Sequence, residues 1–412
     1  MKPLGPIPAG FAADGQGRLV IGGKDVESLV AEAGSTPLFV YDIDRIAAQA
    51  RRIRAAFSQE IALHYAVKAN AYVPLLETMS GLVDGFDVAS SGELERVAGF
   101  GLPVSFAGPG KRDAELEAAI RAGITINLES EGEAGRALEI GARTGSTPRL
   151  AVRVNPPFGL KGAGMKMGGL ASQFGVDHDR VPALVRRIVA AGADWQGLHI
   201  YAGSQALSSE AVIELQRETV ALTGSIADDA GFAPPHVNLG GGFGIPYFAR
   251  DEPLDIEAVG AALSATLAAR PDILRDTRFA IELGRWLVGE AGVYLTRVVD
   301  RKESRGKTFL VVDGGLHHQL AASGNFGQLL RRNYPVAIAS RFNAEAEEEA
   351  SVVGCLCTPL DLLADEAMLP RAGVGDLIAI FCAGAYGLSA SPTDFLSQSE
   401  AKEILVQFPD QG

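Results

Sequence analysis

Cysteine is scarce in this chain: Cys355, Cys357 and Cys382 are its only three thiols. Three cannot build a disulfide framework, and reduced thiols suit the cytosol. Cys355-x-Cys357 has no second cysteine or histidine pair at zinc spacing, so no metal is expected. Long apolar runs are missing as well. None approaches the roughly 20 residues of a membrane span, and Met1–Gly10 lacks the charged and apolar regions of a leader. A positive charge excess is also absent. At a net charge of −13 little would neutralise a phosphate backbone, which excludes nucleic acid as an expected partner. The expectation is a cytoplasmic protein with no membrane partner.

What is present is globular material, 47% hydrophobic and 21% charged, over 412 residues, a length that favours two domains. Residues 1–35 are rich in glycine and proline, with two short alternating runs, Arg18–Ile21 and Asp25–Leu29, and read as a small appended piece. Thr36–Asp42 reads as a strand, with Asp42 placed to cap a helix over Ile43–Phe57. A rhythm then sets in. Apolar strands recur at Ile61–Val67, Gly85–Ala89, Val104–Ala107, Ile124–Leu128, Leu150–Val154, Gly197–Tyr201, His236–Leu239 and Phe279–Leu283, with helical periodicity between them. Alternating strands and helices imply right-handed parallel crossovers, and eight of each is the count of a TIM-type (β/α)8 barrel. After Arg285 the helices stop. Val288–Asp300, Thr308–Asp313, Tyr334–Ile338, Ala350–Cys357 and Leu377–Phe381 are β-rich, while Glu345–Glu349 reads as a solvated loop or helix. The expected organisation is N-terminal strands in 1–42 that join a β domain, a barrel over 43–285, and the β domain itself over 286–412.

Polar residues gather where the strands end. Lys68 stands there, as do Asp87 with Ser90, Asn127 with Glu129, Arg153 with Asn155, His199 with Ser204, Gly240-Gly241-Gly242, and Glu282 with Arg285. Chemistry on such barrels collects at the carboxyl ends of strands. An open doubly wound sheet, the alternative, would not put polar residues at nearly every one. Alone, Lys68 is a surface lysine closing a strand, and Gly240–Gly242 is a tight turn. Together with Glu282 they describe a pyridoxal phosphate site: a lysine amine for the aldehyde, glycine N–H groups for the phosphate, and a carboxylate that keeps the pyridine nitrogen protonated.

At these motifs the chain resembles a known family. Tyr65-Ala66-Val67-Lys68-Ala69-Asn70, Asp87-Val88-Ala89-Ser90, Arg153-Val154-Asn155-Pro156, Gly203-Ser204-Gln205, Gly240-Gly241-Gly242, Glu282-Leu283-Gly284-Arg285, Cys357 and Gly384-Ala385-Tyr386 resemble the alanine-racemase-fold amino-acid decarboxylases, which include the diaminopimelate, ornithine and arginine enzymes. The resemblance implies a barrel plus a β domain, pyridoxal phosphate, and a homodimer with shared active sites. It implies that Lys68 holds the cofactor in a Schiff base and that Glu282 partners the ring nitrogen. By the same resemblance, Asp87, Ser204, Gly241, Gly242, Gly284, Arg285 and Tyr386 are expected to contact the cofactor, and Cys357 to be a general acid offered by the neighbouring subunit. Arg153, Arg285, Thr358 and Asp361 face the substrate. Without the family, Cys357 reads first as a small buried hydrophobe.

Departures from the family narrow the reading. The residue that stacks on the cofactor ring is a histidine in the family, but its position holds Tyr201, with His199 two residues earlier. Either side chain can cover the ring, and register favours Tyr201. The acidic residue that usually follows the cysteine is Thr358, and Asp313–Leu320 lacks the arginine of diaminopimelate enzymes. These features resemble the exosortase-associated branch and the carrier-protein-linked glutamyl decarboxylases. The substrate is then an amino acid or a carrier-bound aminoacyl group, with Arg331 and Arg332 as candidates for docking an acidic carrier. The alternatives are a diaminopimelate-type decarboxylase of a free amino acid and a racemase. Racemases of this fold pair the ring nitrogen with arginine, so Glu282 favours decarboxylation. A non-catalytic cofactor-binding barrel would lack residues 286–412, and a Schiff-base aldolase would use Lys68 without a cofactor.

Overall fold

Alternation along eight short segments builds a closed barrel. The computed structural model describes residues 1–408 apart from Lys161, Ala163, Gly327 and Leu329. Its barrel strands are β1 (Ile61–Ala66), β2 (Gly85–Val88), β3 (Val104–Phe106), β4 (Thr125–Leu128), β5 (Arg149–Asn155), β6 (Asp194–Ile200), β7 (His236–Gly241) and β8 (Arg278–Leu283). Each pairs in parallel with the next, and β8 returns to β1 with Glu282 opposite His64. Every segment with the strand rhythm of a barrel is a barrel strand.

Helices supply the crossovers, and small polar residues start them. Ser90, Ser130, Ser208 and Asp255 cap the helices Ser91–Val97, Glu131–Thr144, Ser209–Ala230 and Ile256–Ala268, each accepting a backbone N–H from the first turn. Such a cap contributes about 1 kcal/mol. Ser90, conspicuous beside Asp87 in sequence, does this work.

The two faces of the strands have different jobs. Ile61, Leu63 and Tyr65 of β1, and Phe279, Ile281 and Leu283 of β8, are buried on one face. Each such side chain contributes roughly 1.5–3 kcal/mol on burial. The alternate face points into the barrel and is polar: His64, Asp87, Asn127, Arg153, Asn238 and Glu282 stand where branched aliphatics usually pack. Towards the amino ends the inward residues shrink to Ala62, Ala151 and Ala280, and a cavity of about 350 Å3 opens there.

The chain divides into two compact units, Ala50–Gly244 with Pro253–Gly284, and Met1–Gln49 with Ile245–Glu252 and Arg285–Gly412. In the second unit the strands Val336–Ile338, Leu377–Ile380, Gly292–Ser304, Lys307–Val312, Glu348–Val353 and Leu362–Leu369 lie side by side in that order. Leu38–Asp42 pairs with both Gly292–Ser304 and Lys402–Val406. Its core joins the N-terminal Leu19, Ile21 and Leu29 to Leu38, Val293 and Phe381.

Three local readings change. Asp25–Leu29 is not a strand-like run; it opens the helix Val26–Ala33, because Asp25 accepts N–H groups of Glu27 and Ser28 at 3.1 and 3.2 Å. Val26, Leu29 and Val30 then share one buried face. Glu348 and Glu349, within the expected solvated run, begin a strand. Leu362–Leu369 and Lys402–Val406 are strands that periodicity did not mark. Asp42 does cap the helix Ile43–Ala56, accepting the Arg45 N–H at 3.2 Å. Among the described residues no helix is long and apolar enough to cross a membrane.

Candidate active site

Lys68 stands one turn beyond β1. The strand gives way to a short 3-10 turn, Val67–Ala69, stabilised by the Tyr65 hydroxyl, which donates to the Asn70 carbonyl at 2.9 Å. The turn passes so close to Gly284 that a Cβ there would lie 2.8 Å from Ala69 Cβ. Glycine after β8 is therefore a requirement of packing around the lysine. Lys68 Nζ lies 3.3 Å from Glu282 Oε1 and 5.1 Å from the centre of the Tyr201 ring, with 42% of its side chain exposed.

Glu282, at the end of β8, is buried. Its second oxygen meets His199 Nε2 at 2.9 Å, with Asn238 Nδ2 further off at 3.4 Å. Burial alone would push this carboxyl up. The Lys68 ammonium and the His199 hydrogen bond outweigh it and hold the group well below the usual carboxylate range. An ionised Glu282 assigns the Nε2 proton to His199, whose Nδ1 has no hydrogen-bond partner among the described residues. His199 and Tyr201 thus do different things. His199 serves the carboxylate, and Tyr201 faces the lysine.

A second polar chain runs along the neighbouring strands. The Ser105 hydroxyl donates to Asp87, whose other oxygen lies 3.3 Å from His64 Nδ1. Burial works against charge on His64, but the Asp87 carboxylate prevails and raises its pKa. Arg153 donates to Glu129 at 2.8 Å, and the same carboxylate accepts N–H groups of Gly108 and Gly175. His64 and Asn238 were not singled out from sequence. Their signal was positional: each stands on the inward face of a strand that otherwise reads as core.

Gly240 and Gly242 adopt positive φ of +69° and +77°. At Gly240, Gly241 and Gly242 a Cβ would come within 2.4, 2.0 and 2.2 Å of the carbonyls of Ile200, Glu282 and Gly203. This turn therefore admits only glycine, and the Gly240 N–H donates to the Asn238 side chain at 2.9 Å. Ser204 is buried nearby, and Ala206 N–H donates to the Gly242 carbonyl at 2.9 Å.

The remaining candidates belong to the second unit. The Arg285 guanidinium lies 4.9 Å from the Tyr386 ring centre and 5.5 Å from that of Tyr247. Cys357 is exposed, followed by Thr358, whose N–H donates to Leu356. Asp361 is buried. Arg331 is committed to the carbonyls of Ser323, Leu360 and Leu362, and Arg332 lies over Phe248 at 3.7 Å, so this pair holds its own loop in place.

An exposed amine, a buried carboxylate held ionised and a turn that admits only glycine match the chemistry of pyridoxal phosphate. A family model described as the pyridoxal binding domain of pyridoxal-dependent decarboxylases matches residues 43–289. The L-glutamyl-BtrI-acyl-carrier-protein decarboxylase of Niallia circulans is 37% identical over 90% of this chain and 88% of its own length. The diaminopimelate decarboxylase of Methanothermobacter thermautotrophicus is 34% identical over 95% and 91%. Among solved structures, a diaminopimelate decarboxylase from M. jannaschii superposes with a TM-score of 0.86 at 27% identity, covering 96% of this chain and 92% of that one. The chain belongs to the pyridoxal-dependent decarboxylases of the alanine-racemase fold. It is a carboxy-lyase with pyridoxal phosphate as cofactor.

Proposed function

We propose that this enzyme removes the α-carboxylate from an aminoacyl substrate whose far end is neutral and extended, as in an aminoacyl group on a carrier protein. Bound pyridoxal phosphate supplies the electron sink for the carbon that loses the carboxylate. Lys68 holds the cofactor through its amine. Glu282, fixed by His199, keeps the ring nitrogen protonated, and Tyr201 covers the ring. Asp87, Ser204, Gly241, Gly242 and Gly284 complete the cradle on the barrel, with Arg153 on the substrate side. Cys357, from the partner subunit of a homodimer, returns a proton to the product, and Thr358 lies beside the substrate.

The observation that carries this reading is the Glu282 carboxylate, held between His199 and Lys68 at 2.9 and 3.3 Å. The substrate class is supported by the uncharged residues where relatives grip a charged end. Thr358 follows the cysteine, and Asp313–Leu320 carries no arginine. A charged substrate terminus buried against such groups would cost several kcal/mol. The 37% identity to a carrier-protein decarboxylase points the same way. Carbon dioxide release tests it, with the expected activity on an aminoacyl group tethered to a carrier protein and little on free diaminopimelate, lysine or ornithine. The opposite pattern would overturn the substrate class.

A further inference from the structure

Both carboxylate oxygens of Asp361 are engaged by backbone. Oδ1 accepts the Leu316 N–H at 2.7 Å and Oδ2 the Leu356 N–H at 2.8 Å, with the residue only 3% exposed. The donors stand on different segments. Leu316 follows the strand Lys307–Val312, and Leu356 immediately precedes Cys357. The same segments are tied again through their backbones: Cys355 N–H donates to the Gly314 carbonyl at 3.1 Å, and Gly354 N–H to the Asp361 carbonyl at 3.0 Å. Gly315 and Gly354 press onto the carboxylate from both sides. A Cβ on either would lie 2.5 or 2.1 Å from an Asp361 oxygen. Neither position has room for a side chain, so the carboxylate sits in a fitted socket.

We infer that Asp361 is a positioning residue that fixes the turn carrying Cys357 and acts on the reaction only through that thiol. This rests on the reading of Cys357 as the proton donor. The family resemblance placed Asp361 against the substrate, but here the fold itself occupies both oxygens. Aspartate suits the task and asparagine does not. Two N–H groups converge on the side chain from opposite sides, and an amide offers one oxygen, its NH2 facing the second donor. Burial pushes the carboxyl above its ordinary range against the pull of the two N–H bonds.

The test is a double-mutant cycle on the cofactor-loaded enzyme, comparing D361N, Cys357→Ala and the two combined. Cofactor absorbance and melting temperature serve as checks on the fold. A misplaced donor costs on the order of 100-fold in rate, so D361N is expected to lower kcat by about that factor. KM and cofactor absorbance stay near wild type, and no further loss appears in the Cys357→Ala background. Multiplicative losses in the double variant, a rise in KM with kcat unchanged, or no loss of kcat in D361N would each overturn the inference. Wild-type kcat in Cys357→Ala alone would instead remove the proton-donor reading beneath it. Gly354→Ala, which crowds the same carboxylate, carries the comparison if D361N fails to fold, with the same pattern expected.

Discussion

His199 on β6 reaches past β7 to place its Nε2 2.9 Å from Oε2 of Glu282 on β8. Asn238, opposite His199 on the intervening strand, stands beside this contact with its Nδ2 3.4 Å from the same oxygen. Glu282 is thereby orientated from one side by an imidazole and from the other by the Lys68 ammonium. Glu282→Gln is expected to bind cofactor but to turn over at least tenfold more slowly, which corresponds to about 1.4 kcal/mol of transition-state stabilisation. Steady-state kinetics on the loaded variant check it; a wild-type rate would remove the electron-sink role.

Lys68→Ala is expected to lose the yellow absorbance of the lysine-bound cofactor together with nearly all turnover. The lysine faces Tyr201 and Glu282 with part of its length open to solvent, so its loss leaves the fold intact. An absorbance spectrum beside a melting curve separates the two effects.

The proposed homodimer with shared active sites predicts complementation. Lys68→Ala chains, inactive alone, and Cys357→Ala chains, strongly impaired alone, are mixed under conditions of subunit exchange. Hybrid dimers then carry one intact site, which restores roughly a quarter of the sites at random pairing. No recovery despite confirmed exchange would place both residues in the site of one chain.

His317 predicts how stability depends on pH. In the unfolded chain it titrates near its ordinary 6.5, and in the folded protein burial holds it down to about 4. Between these values the unfolded state binds a proton that the folded state does not, so stability falls as pH drops through that window. The full loss is about 3 kcal/mol. Denaturant unfolding between pH 7 and 4 checks this, with His317→Gln expected to flatten the curve. An unchanged slope would show that His317 is not the group responsible.

Much of the barrel was written locally. Ile61–Ala66 and Arg278–Leu283 carry apolar residues at every second position, and Ser90 and Ser130, which cap two of the crossovers, follow closely on their strands. Lys68, Glu282 and the glycine turn were legible because a lysine at a strand end, an acid on a strand and three consecutive glycines conflict with simple packing. The strand Leu362–Leu369 was not legible. Its centre, Asp365-Glu366-Ala367, has weak strand preference, and pairing with Glu348–Val353 decides its state.

Residue types and their period along the chain were enough to determine the barrel, its β-rich companion and the chemistry of the cofactor. Partnership was left to the tertiary structure. That His199 meets Glu282, that Arg153 meets Glu129, and that Asp87 meets His64 and Ser105 are relations between strands. The physical reason is the reach of the forces. Periodicity and capping act within a few residues, whereas a buried charge is stabilised by whichever group closure of the barrel brings within hydrogen-bonding distance.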